Sequence, residues 1–277
     1  MFKEALRTTN NSIIIAVPLI LFIKIMDLYS TFTLYRADTP AKFSLAACTM
    51  IFMTGVFAAM YFDMIKQAVE ISKKVFIIDA DRTKEILGIF KNIWSSTSKY
   101  FLSFVGAYLI FFGIQIILTP FVYILGVKLI GHISPELLQN IQAVASDSNA
   151  VSAFVDKLTV SELTFFAKWS LLLIIVTLVV MFVLMLWIPE IMYNRKNPLM
   201  ALFSSVAKVF KDFLSSLKLY STLCLIGFLI FCLISFSTLN LVTYFIGNFA
   251  LYYFYLYITI LIFVYYGKKY NTEENEE

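Results

Sequence analysis

Six stretches of this chain, at roughly 12–33, 43–65, 100–130, 163–192, 217–237 and 240–266, each run for about 20 residues or more with few charges. A helix of about 20 apolar residues covers a bilayer core about 30 Å thick, and in hydrocarbon only a helix or a closed barrel satisfies its own backbone hydrogen bonds. Runs of this length predict helices. Composition agrees, since 60% of the 277 residues are hydrophobic and 14% are charged, too few to coat a water-soluble globule of this size. The expected fold is all-α: a polytopic membrane bundle of six transmembrane helices.

Charge placement sets the expected topology. Residues 1–12, 66–99, 193–218 and 267–277 hold 16 of the 22 lysines and arginines, against 5 in the opposite flanks. Because positive flanks stay in the cytoplasm, both termini are expected there, in a multi-pass protein of the cell membrane. Lys3 and Arg7 precede the first apolar run as in a secretory signal, but Lys24 and Asp27 interrupt that run and no cleavage site follows. The segment is expected to stay as the first span. Residues 1–267 read as one membrane domain, and 268–277 as an acidic, disordered tail. Pro120 and Pro189 predict kinks, and a turn near Ser237 to Asn240 predicts a tight hairpin of the last two spans. The outer connection at about 132–162 carries helix-start chemistry at Ser134-Pro135-Glu136 and again near Thr159 to Glu162, which predicts a small helical cap.

Two cytoplasmic connections each predict a short amphipathic helix. In TKEILGIFKNIWSS the apolar face is Ile86, Leu87, Ile89, Phe90, Ile93 and Trp94; in NPLMALFSSVAKVFKDF it is Leu199, Met200, Leu202, Phe203, Val206 and Ala207. Asn197 followed by Pro198 is an N-cap and first-turn signature. The two helices occupy equivalent places in a pattern of span, amphipathic helix, span, which suggests parallel repeats at about 43–131 and 163–237. Such helices either lie in the interface with Lys91, Lys208 and Lys211 near anionic headgroups, or act as gate-like elements or docking faces for a cytoplasmic protein. The candidate cytoplasmic interface is Phe90, Trp94, Phe203, Lys208 and Lys211.

With PLMALFSSVAKVF after a span, a weaker copy at KEILGIFKNIW, and a tyrosine-rich last span ending FVYYGKKY, the layout resembles a broad group of bacterial six-span proteins. That group is similar to the membrane domain attached to some glycerophosphodiester phosphodiesterases. The resemblance implies a fold and no chemistry, and no functional residue carries over from it.

Ionisable residues inside spans are costly and so are functional candidates. Lys24 and Asp27 stand in the outer half of span 1 at a spacing that lets them meet on one helix face. Gln115 and Thr119 of span 3 are expected at a similar depth, and Asn240 and Asn248 begin the last span there. The four residues Lys24, Asp27, Gln115 and Thr119 are the candidate polar intramembrane site; the competing expectation is a local Lys24–Asp27 ion pair that anchors span 1. Asp63 is expected to pair at the boundary with Lys66, and Glu190 with Arg195 and Lys196. Tyr265 and Tyr266 fit an interfacial aromatic belt, whereas Tyr252, Tyr253, Tyr255 and Tyr257 lie deeper and need hydroxyl partners.

Cys48, Cys224 and Cys232 lack metal or redox spacing, and the lone His132 has no ligand partner in sequence, so no metal and no cofactor is expected. The lysines and arginines sit in short clusters between apolar runs, a placement that topology explains, so no nucleic acid is expected as a partner. No G-x-S-x-G, H-E-x-x-H, P-loop or dinucleotide fingerprint occurs, which leaves enzymatic activity the least supported class. Two readings follow. One is a non-enzymatic envelope factor that interacts with membrane lipids or a protein at its cytoplasmic face; the other is a small transporter or channel with a polar site in the outer half of the membrane. Oligomeric state is not set by the sequence.

Overall fold

The computed structural model describes residues 1–34, 36, 38–132, 158–194, 197–235 and 240–271. The segment expected to form the outer cap (133–157), the turn at 236–239, Arg195, Lys196 and the acidic tail beyond 271 lie outside the described residues. What is described is helical: α1 (Phe2–Asn11), α2 (Ala16–Tyr29), α3 (Pro40–Lys73), α4 (Asp79–Gly88), α5 (Ile93–Leu129), α6 (Val160–Leu184), α7 (Trp187–Asn194), α8 (Pro198–Lys211), α9 (Phe213–Ser235) and α10 (Leu241–Tyr270). Six stretches are long and apolar enough to cross a membrane, namely Ile13–Thr33, Pro40–Lys73, Thr97–Leu129, Val160–Asn194, Phe213–Cys232 and Val242–Tyr270. This fits an integral, multi-pass membrane protein.

Helix ends follow local chemistry. The Thr39 hydroxyl accepts from the Lys42 amide at 3.3 Å and Pro40 opens α3. Asn197 Oδ1 accepts from the Leu199 amide at 3.0 Å and Pro198 opens α8, as its sequence signature predicts. Asn240 and Thr243 form a reciprocal capping box at the start of α10. The helix-start signal at Thr159 to Glu162 opens the fourth span itself: Glu162 accepts from the Thr159 amide at 2.8 Å and hydroxyl at 2.7 Å, and α6 begins at Val160. Pro189 does interrupt its helix. It has no N–H for the Met185 carbonyl and its ring crowds that carbonyl, so α6 stops at Leu184 and α7 restarts at Trp187. Pro120, by contrast, sits inside a continuous α5.

The chain forms two compact units, one of Met1–Ile110 with Val183–Glu277, the other of Phe111–Phe182. In the first, α10 is the most enclosed span and packs against α1, α2, α3, α7 and α9. Its buried Leu256, Ile260, Leu261 and Phe263 share the core with Met64 and Ile65 of α3 and with Ile191 and Met192 of α7. Phe62 joins this core by stacking on Phe104 and Phe263 at ring separations of 5.5 and 6.3 Å. α3 runs 34 residues, about 50 Å, so it outlasts a bilayer core. The apolar run stops near residue 65, but helix-forming residues and a 3.8 Å Lys66–Glu70 pair carry α3 on to Lys73.

In the second unit, Gly126 of α5 lies directly against Trp169 of α6; a methyl group there would sit 2.2 Å from the indole. Gly113, in the same helix, has open space around it. A Gly126→Ala variant should therefore lose about 1–3 kcal/mol of stability through overpacking, while Gly113→Ala gains up to about 1 kcal/mol from helix propensity. Thermal denaturation in detergent micelles, followed by loss of the monodisperse peak, checks both; equal melting of the two variants would contradict this packing.

Candidate functional site

The strongest concentration of polar chemistry lies where α7, α8 and the end of α10 meet. Breaking the fourth span at Pro189 sets Glu190 at the start of a short helix, and its side chain is fully buried. A buried carboxylate is tolerated only when its lone pairs are taken and its charge is matched. Both conditions hold. Glu190 Oε1 accepts from Asn194 Nδ2 and from the Ser204 hydroxyl, each at 2.8 Å. Glu190 Oε2 accepts from Lys208 Nζ at 2.6 Å and from the Tyr266 hydroxyl at 2.5 Å. The Tyr266 oxygen in turn accepts from Lys208 Nζ at 2.6 Å and from Asn194 Nδ2 at 2.9 Å.

The Lys208 ammonium is also packed over two aromatic faces, 4.7 Å from the Tyr266 ring centre and 5.0 Å from that of Tyr270. One turn further along α8's axis, the network continues at Asp212. The Tyr270 hydroxyl reaches Asp212 Oδ2 at 2.8 Å, and Lys269 pairs with Asp212 Oδ1 at 2.9 Å. The hydrogen bonds from Lys269 and Tyr270, in that order, hold the Asp212 carboxyl below the usual carboxylate range.

A related arrangement occurs on α3. Asp63, nearly buried, accepts from Gln67 Nε2 one turn on at 2.5 Å, as Glu190 does from Asn194. Lys66 reaches across to the Met192 carbonyl at 3.2 Å and lies 4.9 Å over the Tyr193 ring, while Tyr193 stacks on Tyr266 at 5.4 Å. α3, α7 and α10 thus meet around polar groups that are embedded in apolar packing.

This arrangement turns α8 in a definite direction. Ala201, Ser205 and Val209 are fully buried and Ser204 and Lys208 face Glu190, so Leu199, Met200, Phe203 and Phe210 are left outside, with Met200 and Phe203 each about two-thirds exposed. Of the residues expected at a cytoplasmic interface, Phe203 and Lys211 are exposed, Phe90 is half-buried, and the Trp94 side chain lies outside the described residues. Lys208, expected to face headgroups, points inward to Glu190 instead, because that is where a buried carboxylate needs a counter-ion. Around Phe90 the sequence-expected helix is split: α4 ends at Gly88, a 3-10 turn covers Ile89–Asn92, and α5 starts at Ile93. Ile86 and Ile89 are buried there.

Lys24 and Asp27 are exposed on α2 and form no ion pair among the described residues. The anchoring pair expected at this spacing is not made. A cation N-terminal to the acid is the weaker order for a helical pair, and side chains that lean back toward the N-terminus favour the reverse. Gln115 and Thr119 belong to the second unit, where with Thr177 and Trp169 they line a cavity of about 300 Å³. Tyr265 and Tyr266, expected in an interfacial aromatic belt, are buried within the protein; Tyr265 bonds Ser215 and Ser216 at 3.2 Å, and Tyr266 belongs to the Glu190 network. Tyr253 does have the partner its depth demands, Asn10 Oδ1 at 2.5 Å.

Sequence reasoning missed the network because, beyond the apolar face of α8, it directed Lys208 to lipid headgroups and left Ser204 and Asp212 unweighed. The signal was present in the other face: Ser204, Lys208 and Asp212 recur every four residues, as do Tyr266 and Tyr270, and such stripes need polar partners. No family model, curated protein or solved structure matches this chain.

Two predictions follow from the charges. Lys208→Met removes the counter-ion that buried Glu190 draws from α8 and should cost about 3–5 kcal/mol, whereas Glu190→Gln with Lys208→Met recovers much of that loss; thermal melts in micelles read the difference, and a single variant no weaker than the double contradicts the assignment. Because the folded-state carboxyl of Asp212 titrates below its unfolded value, its stabilisation is present above about pH 4 and is lost as pH falls through the depressed value. The melting-temperature gap between wild type and Asp212→Asn should therefore be steady near neutrality and close on acidification; a gap that widens in acid contradicts it.

Proposed function

We propose that this protein is a non-enzymatic, lipid-interacting factor of the cell envelope, with both termini in the cytoplasm and α8 as an interfacial element of its inner face. The observation that carries this reading is the fixed roll of α8, which the Glu190 network holds with Leu199, Met200, Phe203 and Phe210 outward. α8 stands between the fourth and fifth spans, so its outward apolar face meets the headgroup and acyl boundary, with Lys211 available to anionic lipid. The Glu190 carboxylate, whose oxygens are occupied by donors from three helices, serves as a structural tie in this reading.

A second reading, a small transporter or channel, is favoured by the cavity at Gln115, Thr119 and Thr177, beside which the Trp169 indole N–H is buried without a hydrogen-bond partner among the described residues. One experiment separates the two. Spin labels placed on a cysteine-free background at position 203 and at position 115 are exposed in nanodiscs to oxygen and to a water-soluble nickel chelate. The lipid reading expects oxygen to dominate at 203 and neither quencher to reach 115; nickel access at 203 overturns it, and nickel access at 115 favours transport.

A further inference from the structure

A second group of charges lies where α1 meets the end of α3 and the start of α4. A cavity of about 520 Å³ is lined there by Lys3, Arg7, Lys73, Lys74 and Arg82, with Glu4 as its one lining carboxylate among the described residues. Glu4 is engaged by Lys268, and Lys74 by Glu85 at 2.9 Å, while Arg82 lies 5.5 Å over the Phe76 ring. Lys3, Arg7 and Lys73 form no ion pair among the described residues. Converging cations raise the local positive potential, which favours an anion between them.

Two further observations bear on what occupies it. Thr8 lines the same cavity and is 1% exposed, yet its hydroxyl has no hydrogen-bond partner among the described residues. The neighbouring Thr9 bonds back to the Ala5 carbonyl at 2.8 Å, so Thr8 is a buried donor in want of an acceptor. Beside the cavity, the turn after α3 exposes Val75 and Ile77 almost completely, and Ile78 by more than half. Apolar side chains so exposed are ones that an acyl boundary would cover, and Val75 itself lines the cavity.

We propose that this cavity binds a phosphate-ester anion, the chemistry shared by phospholipid headgroups and soluble phosphate esters. Arg7 and the two free lysines supply charge-assisted hydrogen bonds, and Thr8 donates a further one. The volume exceeds what a bare phosphate fills, and the Val75–Ile78 tip makes a lipid headgroup the source that the surroundings suit. The site is separate from the face of α8, so its failure and the failure of the interfacial reading are read by different measurements.

The test uses the full chain purified in a phosphate-free maltoside detergent. Binding of glycerol 3-phosphate and of phosphatidic acid is measured by native mass spectrometry for wild type, Arg7→Gln with Lys73→Gln, Lys73→Gln alone, Thr8→Val, and Lys128→Gln, an exposed residue of α5, as a control outside the cavity. Wild type and the control should bind alike, and the double variant about tenfold or more weakly. Retention of the lipid alone identifies a headgroup site; equal retention of glycerol 3-phosphate identifies a soluble phosphate site. If the double variant does not fold, Lys73→Gln and Thr8→Val carry the comparison. Absence of binding to either probe by wild type, or undiminished binding by the folded cavity variants, overturns the proposal.

Discussion

A fully buried carboxylate, Glu190, dictates much of what surrounds it in the first unit. Removing a carboxylate from water costs several kcal/mol even after relaxation, and only matched charge with filled lone pairs offsets it. The counter-ion comes from α8 and the phenol from α10, so satisfying one side chain brings three helices together. Replacing the pair by apolar residues would give comparable stability in many proteins, so its contribution here lies in specifying one arrangement. α8 has a single roll that delivers both Ser204 and Lys208 to the carboxylate.

The solvent decides the rest. Apolar side chains such as Leu21, Leu28, Phe112, Ile117 and Phe228 lie on the outside of the spans, where water would penalise them and acyl chains do not. Cohesion then has to come from close packing, aromatic contacts and polar ties among helices. α10 supplies all three to the first unit, through Phe263, Tyr266 and the Glu4–Lys268 pair that fastens α1 to it. The second unit relies on a glycine, Gly126, which lets α5 approach Trp169.

The six spans were legible because hydropathy over about 20 residues reports directly on the solvent, and the cap at Asn197 because it is local chemistry. Long-range polar pairing was not legible. Glu190 finds a cation 18 residues away on α8, a partner that depends on how α8 packs and not on proximity along the chain. α1 read only as a flank, yet Ala5, Thr8 and Thr9 are buried against the bundle; ten polar-rich residues carry no hydropathy signal. Lys24 and Asp27 show the converse, a spacing that permits a pair without enforcing one.

The claim that Glu190 fixes α8 in place is tested most directly by hydrogen–deuterium exchange of the full chain in nanodiscs. Amides of 198–211 in the wild type should exchange as slowly as those at the end of α10, and should lose that protection selectively when Lys208 is replaced by methionine. Rapid exchange of this helix in the wild type, or unchanged protection in the variant, would contradict the account.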